Sequence, residues 1–379
     1  MMNIVIDENI SYAEEAFSSL GKVIICHGRK ITNQILKNAD ALIVRSITKV
    51  DKILLQDTPV KFVGTATIGT DHIDLEYLQS NGICFSDAKG CNADAVTEYV
   101  FSSIFKLLSE ENLSIKGMSI GIVGIGNIGS RIAKIAGILG MRVFKNDPPL
   151  QRQYSAKDFV PLDDIYKCDI ITLHVPFIKT GIDKTVHLFN HSNLAKLNDN
   201  TIFINASRGQ VVENTELIET IDRKSLNVVL DVWENEPGIN TKLLKRVKIG
   251  SPHIAGYSLE GKVNGTVIIY NAFCNYLGIQ PVWKPSLPKV KSPDIVSNIT
   301  GSYEQILNNI IHSAYSIEED DGRMKELITM PESEISNYFD TLRKEYPLRR
   351  EFTNYNVTID KNNEELTGAL KALRFGNKS

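Results

Sequence analysis

Three short stretches carry side chains able to do chemistry: Asn205-Ala-Ser-Arg208-Gly209, Asp231-Val-Trp-Glu-Asn-Glu236-Pro237 and Ser251-Pro-His253-Ile-Ala-Gly256-Tyr257. Each follows an apolar run of strand character, where open α/β sheets bind their ligands. Arg208 brings a planar guanidinium that meets a carboxylate in a two-pronged pair a lysine cannot copy. His253 has an ordinary pKa of about 6.5, close to working pH, and a positioned acid–base group of this kind contributes roughly a hundred- to ten-thousandfold. Glu236 suits the task of holding the imidazole, fixing its tautomer and stabilising the imidazolium, which raises the pKa of His253. Oxidation of a hydroxy acid needs this set: an anchor for the substrate carboxylate, a base for the hydroxyl proton as hydride leaves carbon, and a group that orients the base. Plainer readings exist for each residue. Arg208 could pair with an acid in its loop, His253 could be a structural histidine, and Glu236 alone would be an ordinary surface carboxylate.

Hydride transfer also needs an acceptor, and Ile120 to Gly129 (I-G-I-V-G-I-G-N-I-G) is built to hold one. An apolar run feeds Gly124-x-Gly126-x-x-Gly129, and an amphipathic segment from Ile128 to Leu139 follows. Gly124 permits a sharp turn, Gly126 lets the backbone approach a pyrophosphate, and Gly129 lets the helix pack on the strand. The helix N-terminus, including Asn127 and Ile128, then faces the anion. Asp147, after a second apolar run, stands where an acid accepts hydrogen bonds from ribose hydroxyls and repels a 2′-phosphate, so NAD is expected over NADP. Lys145 and Arg152 lie close by and weaken that preference. A glycine-rich turn that binds nothing is the plain alternative.

The elements that must position these residues read as α/β throughout. From Asn3 to Ala88, apolar runs at Ile4–Ile6, Val23–Cys26, Ala41–Val44, Phe62–Gly64 and Ile83–Phe85 alternate with helical patterns, predicting a parallel sheet without a phosphate fingerprint. A long helix is predicted from Asn92 to Glu110. Strand candidates at Ile120–Val123, Arg142–Phe144, Ile170–Leu173, Ile202–Ile204, Val228–Leu230 and Val247–Ile249 suit a doubly wound Rossmann sheet. A second long helix, Leu259 to Leu277, suggests that the chain returns to its first domain. Pro281 to Pro293, with four prolines, reads as a linker. Beyond it come helical patterns near Tyr303–Ile317, Glu332–Lys344 and Glu364–Leu373 and a strand candidate at Asn356–Ile359. The expected organisation is a discontinuous flavodoxin-like α/β substrate domain (1–92 with 255–280), a Rossmann nucleotide domain (93–254), a linker (281–293) and a small C-terminal α/β domain (294–379), with a cleft between the first two. Arg349 and Arg350 read as a solvated basic pair, a phosphate contact being the alternative.

Composition is consistent with an ordinary globular protein. The 379 residues are 42% hydrophobic and 23% charged, enough for two or three domains. The net charge of −3 gives no global field for nucleic acid or an anionic membrane. Five cysteines (Cys26, Cys84, Cys91, Cys168, Cys274), widely spaced and without a C-x-x-C, argue for reduced thiols and against a metal site, and they read as buried small hydrophobes. The N-terminus has no basic n-region and no segment is apolar for long, so a cytoplasmic protein without membrane spans is expected.

The fingerprint, N-A-S-R-G, D-V-W-x-x-E-P and P-H-I-A-G together resemble the D-isomer-specific 2-hydroxyacid dehydrogenases over residues 1 to about 280. The resemblance implies that Arg208, Glu236 and His253 are the catalytic set. It also implies NAD contacts at Gly124, Gly126, Asn127, Ile128, Gly129, Asp147, Val175, Ala206, Ser207, Arg208, Asp231 and Gly256. Val-Arg-Ser46-Ile-Thr-Lys-Val, Gly-Thr-Ala-Thr67-x-Gly-Thr-Asp-His, Gly90-Cys-Asn and His-Ile-Ala-Gly-Tyr257 are similar to a branch acting on a phosphorylated acid. There Ser46, Thr67 and Tyr257 would contact substrate and the C-terminal domain would make a homodimer. Val175 stands where a threonine is common in that branch, leaving only backbone and methyl contacts to the cofactor. Small hydroxyls can supply an anion pocket, and Arg45 is a further candidate cation, or a structural one. The spacing leaves open a four-carbon phosphorylated acid or phosphoglycerate, with one carbon fewer. A nucleotide-sensing corepressor on the same fold is a rival of another class, disfavoured by the near-neutral charge and the lack of long polar tails.

Overall fold

A computed structural model describes residues 2–155, 158–297, 300–359 and 363–377. Contacts divide the chain into two units, Met1–Asn92 with Ser258–Pro288, and Ala93–Tyr257 with Lys289–Ser379.

In the first unit, β1 (Asn3–Asp7), β2 (Lys22–Cys26), β3 (Ala41–Val44), β4 (Phe62–Thr65) and β5 (Cys84–Asp87) form a parallel sheet in the order β2-β1-β3-β4-β5. This is the flavodoxin order. β3 and β4 are buried at every position, as continuous apolar strands covered on both faces must be. Helix Leu259–Tyr276 belongs to this unit and starts where Ser258 accepts the Gly261 N–H at 2.8 Å. Gly265 lets it come close to the segment after β4, because a Cβ there would lie 2.6 Å from the Ala66 carbonyl oxygen. The proline-rich segment contains neither helix nor strand from 281 to 293, and its Val282 and Trp283 N–H groups both donate to the Tyr270 hydroxyl at 3.2 Å.

The second unit is built on β6 (Ser119–Val123), β7 (Arg142–Asn146), β8 (Ile170–Leu173), β9 (Ile202–Asn205), β10 (Asn227–Leu230) and β11 (Ile249–Gly250), all parallel, in the order β11-β10-β9-β8-β6-β7. Chain order reverses beside β6, so the crevice at the end of β6 is a topological switch point. Helix Ala93–Glu111 is buried over most of its length. Its polar residues are accommodated internally: Thr97, Ser102 and Ser103 each donate to the carbonyl four residues back, at 2.7–2.9 Å.

The C-terminal segment adds β12 (Asp294–Ser297), β13 (Asn356–Ile359) and β14 (Gly376–Asn377), a parallel sheet in the order β12-β13-β14. β12 and β14 were not expected: one alternates buried and exposed over four residues beside the prolines, and the other is two residues long. Leu307, Ile310, Phe352 and Leu370 share one apolar core with Val96, Phe101, Ile120 and Ile204. Helix Tyr303–Ala314 ends three residues early, a second helix, Ile317–Lys325, beginning where the expected one ended. The expectation of a solvated Arg349–Arg350 pair is overturned, since these residues are only 6% and 7% exposed. Arg349 donates to the carbonyls of Ala95 (2.8 Å) and Ala255 (3.1 Å) and lies 3.8 Å over the Tyr315 ring. Burial also fails for two cysteines: Cys91, Cys168 and Cys274 are buried, but Cys26 is half-buried and Cys84 exposed, and all five are free thiols.

Candidate active site

The glycine turn follows β6 and has the form its sequence requires. Gly124 sits at φ +91°, and a Cβ there would lie 2.4 Å from the His174 carbonyl oxygen. A Cβ on Gly129 would lie 2.0 Å from the Gly124 carbonyl oxygen, so that glycine is required for helix Asn127–Ile138 to pack on the turn. A Cβ on Gly126 would meet nothing within 4 Å. Its missing side chain therefore serves something outside the fold, which fits a pyrophosphate approaching the helix N-terminus. Asp147 follows β7, where its Oδ2 accepts the Ile125 N–H at 2.8 Å and its Oδ1 the Leu150 N–H at 3.0 Å. It thus pins the glycine turn and caps the next helix, and each oxygen keeps a lone pair for a ribose hydroxyl. The two nearby cations are committed to acids, Lys145 to Asp158 and Arg152 to Asp183.

Arg208, Glu236 and His253 stand on the loops leaving β9, β10 and β11, which are neighbours in the sheet. The Arg208 loop is tied by Asn205: its Oδ1 accepts the Ser207 N–H and hydroxyl (3.1 and 2.8 Å), and its Nδ2 donates to the Arg208 carbonyl at 3.0 Å. Gly209 brings this loop against the next, because a Cβ there would overlap the Trp233 carbonyl at 2.0 Å.

Glu236 and His253 are hydrogen-bonded, Oε2 to Nδ1, at 2.8 Å. The other oxygen of Glu236 accepts the Trp233 N–H at 2.8 Å. Burial by itself pushes Glu236 up, but the charge and hydrogen bond of His253, the Trp233 N–H and the charge of Arg343 hold it below the usual carboxylate range. An ionised carboxylate only accepts, so Nδ1 carries the proton and Nε2 is left to take one. The His253 side chain is 34% exposed, so it can be reached.

Asp231 accounts for how that histidine is held. Its Oδ1 accepts from the Ser251 hydroxyl and the Ile254 N–H, both at 2.7 Å, and its Oδ2 accepts the Ala255 N–H at 3.0 Å. Burial pushes its pKa up, against the charge of His253 and these donors. Ser251 also meets the Tyr99 hydroxyl at 2.8 Å, and the Trp233 indole N–H donates to its carbonyl at 2.9 Å. His253 itself has φ +58°, unusual for a residue with a Cβ, and the network around it maintains that conformation. Asp231 was expected at the cofactor; in the structure both of its oxygens are engaged by its own chain.

Among the other expected residues, Val175 lines the Gly124 turn, its Cγ1 lying 3.0 Å from where a Gly124 Cβ would be. Ala206 and Gly256 are half-buried in their loops. Ser46 is exposed and Thr67 half-buried in the first unit, where the Thr65 hydroxyl meets those of Thr67 (2.9 Å) and the His72 imidazole (3.1 Å). Arg45 pairs with the buried Asp7 at 3.3 Å, which gives it a structural partner. Two features were missed. Glu234 accepts from Asn214 N–H at 2.9 Å and meets His187 at 2.7 Å, bracing the loop between Arg208 and Glu236. Arg343, from helix Glu332–Lys344, donates to the Tyr257 hydroxyl at 3.1 Å. The D-V-W-E-N-E spacing could have suggested the first, but nothing local signals the second.

A parallel sheet with this glycine turn, and an Arg, Glu and His on three adjacent strand ends, defines a nicotinamide-dependent hydroxyacid dehydrogenase architecture. The model of the D-isomer specific 2-hydroxyacid dehydrogenase NAD binding domain matches residues 97–255, and the chain belongs to this family. It is similar over its whole length to erythronate-4-phosphate dehydrogenases, at 42% identity to that of Proteus mirabilis over 99% of both chains and 43% to that of Photorhabdus laumondii, again over 99% of both. Residues 286–373 match a family described only as a domain of unknown function. Among solved structures, D-lactate dehydrogenase from Aquifex aeolicus, complexed with NAD and lactic acid, superposes with a TM-score of 0.62 at 25% identity, covering 73% of this chain and 96% of that one.

Proposed function

We propose that this chain oxidises the 2-hydroxyl of 4-phospho-D-erythronate with NAD, giving 3-hydroxy-2-oxo-4-phosphooxybutanoate, a step in the synthesis of pyridoxal 5′-phosphate. The observation that carries the reading is full-length similarity to erythronate-4-phosphate dehydrogenases in a chain whose Glu236 and His253 are joined at 2.8 Å. The glycine turn, the helix N-terminus and Asp147 hold the dinucleotide, with Val175, Ala206 to Arg208 and Gly256 around the nicotinamide end. NAD, when bound, supplies the acceptor for the hydride that leaves C2. His253 Nε2 takes the proton of the 2-hydroxyl, so that the C–O bond becomes a carbonyl as the C–H electron pair departs. Glu236 keeps the imidazole in the tautomer with a proton on Nδ1 and stabilises the imidazolium that forms. Arg208 pairs with the substrate carboxylate. Ser46, Thr67 and Tyr257 contact the phosphorylated acid.

The chain acts in the cytoplasm as a homodimer in this reading, with residues 294–379 contributing the dimer contact; no described helix is long and apolar enough to cross a membrane. Because that segment shares a core with the nucleotide-binding unit, the dimer is tested on the full chain, and a monomer in sedimentation velocity at micromolar concentration would refute it. The substrate is tested by following NADH formation with 4-phospho-D-erythronate and 3-phospho-D-glycerate separately. Efficient turnover of the second and none of the first would overturn the assignment, while tight NAD binding with no turnover of either would favour a sensing role.

A further inference from the structure

Tyr257 closes the loop that carries His253, and the C-terminal segment grips it from three directions. Arg343 Nη2 donates to the hydroxyl oxygen at 3.1 Å, with the guanidinium 5.8 Å from the ring centroid. Tyr346 packs edge-on against the same ring, centroids 5.8 Å apart at 81°. Arg349 donates to the carbonyl of Ala255 in the same loop at 3.1 Å.

A phenol has one proton to donate and two lone pairs, whereas a guanidinium has donors only. Tyr257 must therefore accept from Arg343, and its own O–H is directed to some other acceptor. A cation bonded to the phenol oxygen withdraws electron density from it, so the O–H becomes a stronger donor, best matched to an anion. The Nε of Arg343 is buried and without a hydrogen-bond partner, so the guanidinium does not reach an anion by that edge and acts on the site through Tyr257.

We propose that Arg343 is a positioning residue that commits the Tyr257 hydroxyl to donate to the anionic group of the phosphorylated acid, so that the C-terminal segment sets substrate affinity in its own chain. This rests on the reading above that Tyr257 contacts the acid. It gives a catalytic-site role to a segment whose matching family has none assigned.

The test is a double-mutant cycle with Y257F and R343Q on the full-length enzyme, reading KM for 4-phospho-D-erythronate, kcat, and NAD affinity by fluorescence titration. Each single variant is expected to raise KM about tenfold or more, the loss of one charge-assisted hydrogen bond, with NAD affinity unchanged. The double variant is expected to be no worse than Y257F alone, and R343K to recover part of the loss. A normal KM in R343Q beside a raised one in Y257F, or effects that multiply in the double variant, would overturn the proposal. If R343Q does not fold, the same cycle is run with R343K, and multiplying effects again overturn it. A normal KM in Y257F would instead remove the premise that Tyr257 contacts substrate, and the proposal with it.

Discussion

Glu236 and His253 are joined carboxylate to imidazole at 2.8 Å, and the free oxygen of the same carboxylate is anchored on the Trp233 N–H at 2.8 Å. The bonds fix both the direction and the tautomer of the imidazole. Replacement of His253 by alanine removes the only group so held, while the glycine turn on β6 stays intact. His253→Ala should lower kcat by roughly a hundred- to ten-thousandfold with NAD affinity unchanged. Loss of both together, in stopped-flow turnover and fluorescence titration, would count against the assigned role.

Glu236 sets the acid side of the pH dependence. Its carboxyl lies below the usual range because the charge and hydrogen bond of His253, the Trp233 N–H and the charge of Arg343 outweigh burial. A depressed carboxylate contributes stability that is present above its unfolded pKa, about 4.3, and lost as pH falls through the lower native value. Acid denaturation of the Glu236→Gln variant should therefore lack this component, and its kcat should fall at neutral pH. Taking away the cation of Arg343 should move the acid limb of the kcat/KM profile to higher pH; a limb that stays in place in R343Q would show that this charge does not reach Glu236.

Gly126 and Gly129 should respond oppositely to alanine. At Gly126 the new methyl meets no protein atom within 4 Å, whereas at Gly129 it would lie 2.0 Å from the Gly124 carbonyl oxygen. Gly126→Ala should leave the unfolding midpoint of the cofactor-free protein within about a degree or two and weaken NAD binding, since an exposed, open site costs little to fill. Gly129→Ala should destabilise by about 1–3 kcal/mol as the backbone shifts. Thermal unfolding and NAD titration of both variants separate the two roles, and equal destabilisation would refute the distinction.

Asp231 holds the His253 turn through three donors, two of them backbone N–H groups. In Asp231→Asn one acceptor becomes a donor, so at least one buried N–H loses its partner at a cost of about 1–3 kcal/mol. Because His253 occupies φ +58°, relaxation of that turn should also displace the imidazole. The expected outcome is a lower unfolding midpoint together with a kcat loss that extra substrate does not restore. A variant of normal stability with weakened NAD binding alone would return Asp231 to the cofactor role.

The local patterns of the chain were sufficient for its two large sheets, because a buried parallel strand is an apolar run and a phosphate-binding turn is a glycine spacing, both written in consecutive residues. The same holds for the identities of Arg208, Glu236 and His253, each a few residues past such a run. Tertiary structure alone decided what long-range contact controls. Arg349 and Arg350 look like a surface pair in sequence, yet they are buried, because Tyr315 and the carbonyls of Ala95 and Ala255 are brought around Arg349 from distant parts of the chain. The two-residue β14 acquires strand character only from its pairing with β13. Asp231 looks like a ligand contact until the turn that follows β11 delivers two N–H groups to it. Arg343 and Tyr257, 86 residues apart, have no common periodicity, and only the packing of the C-terminal segment onto the catalytic loop makes them partners.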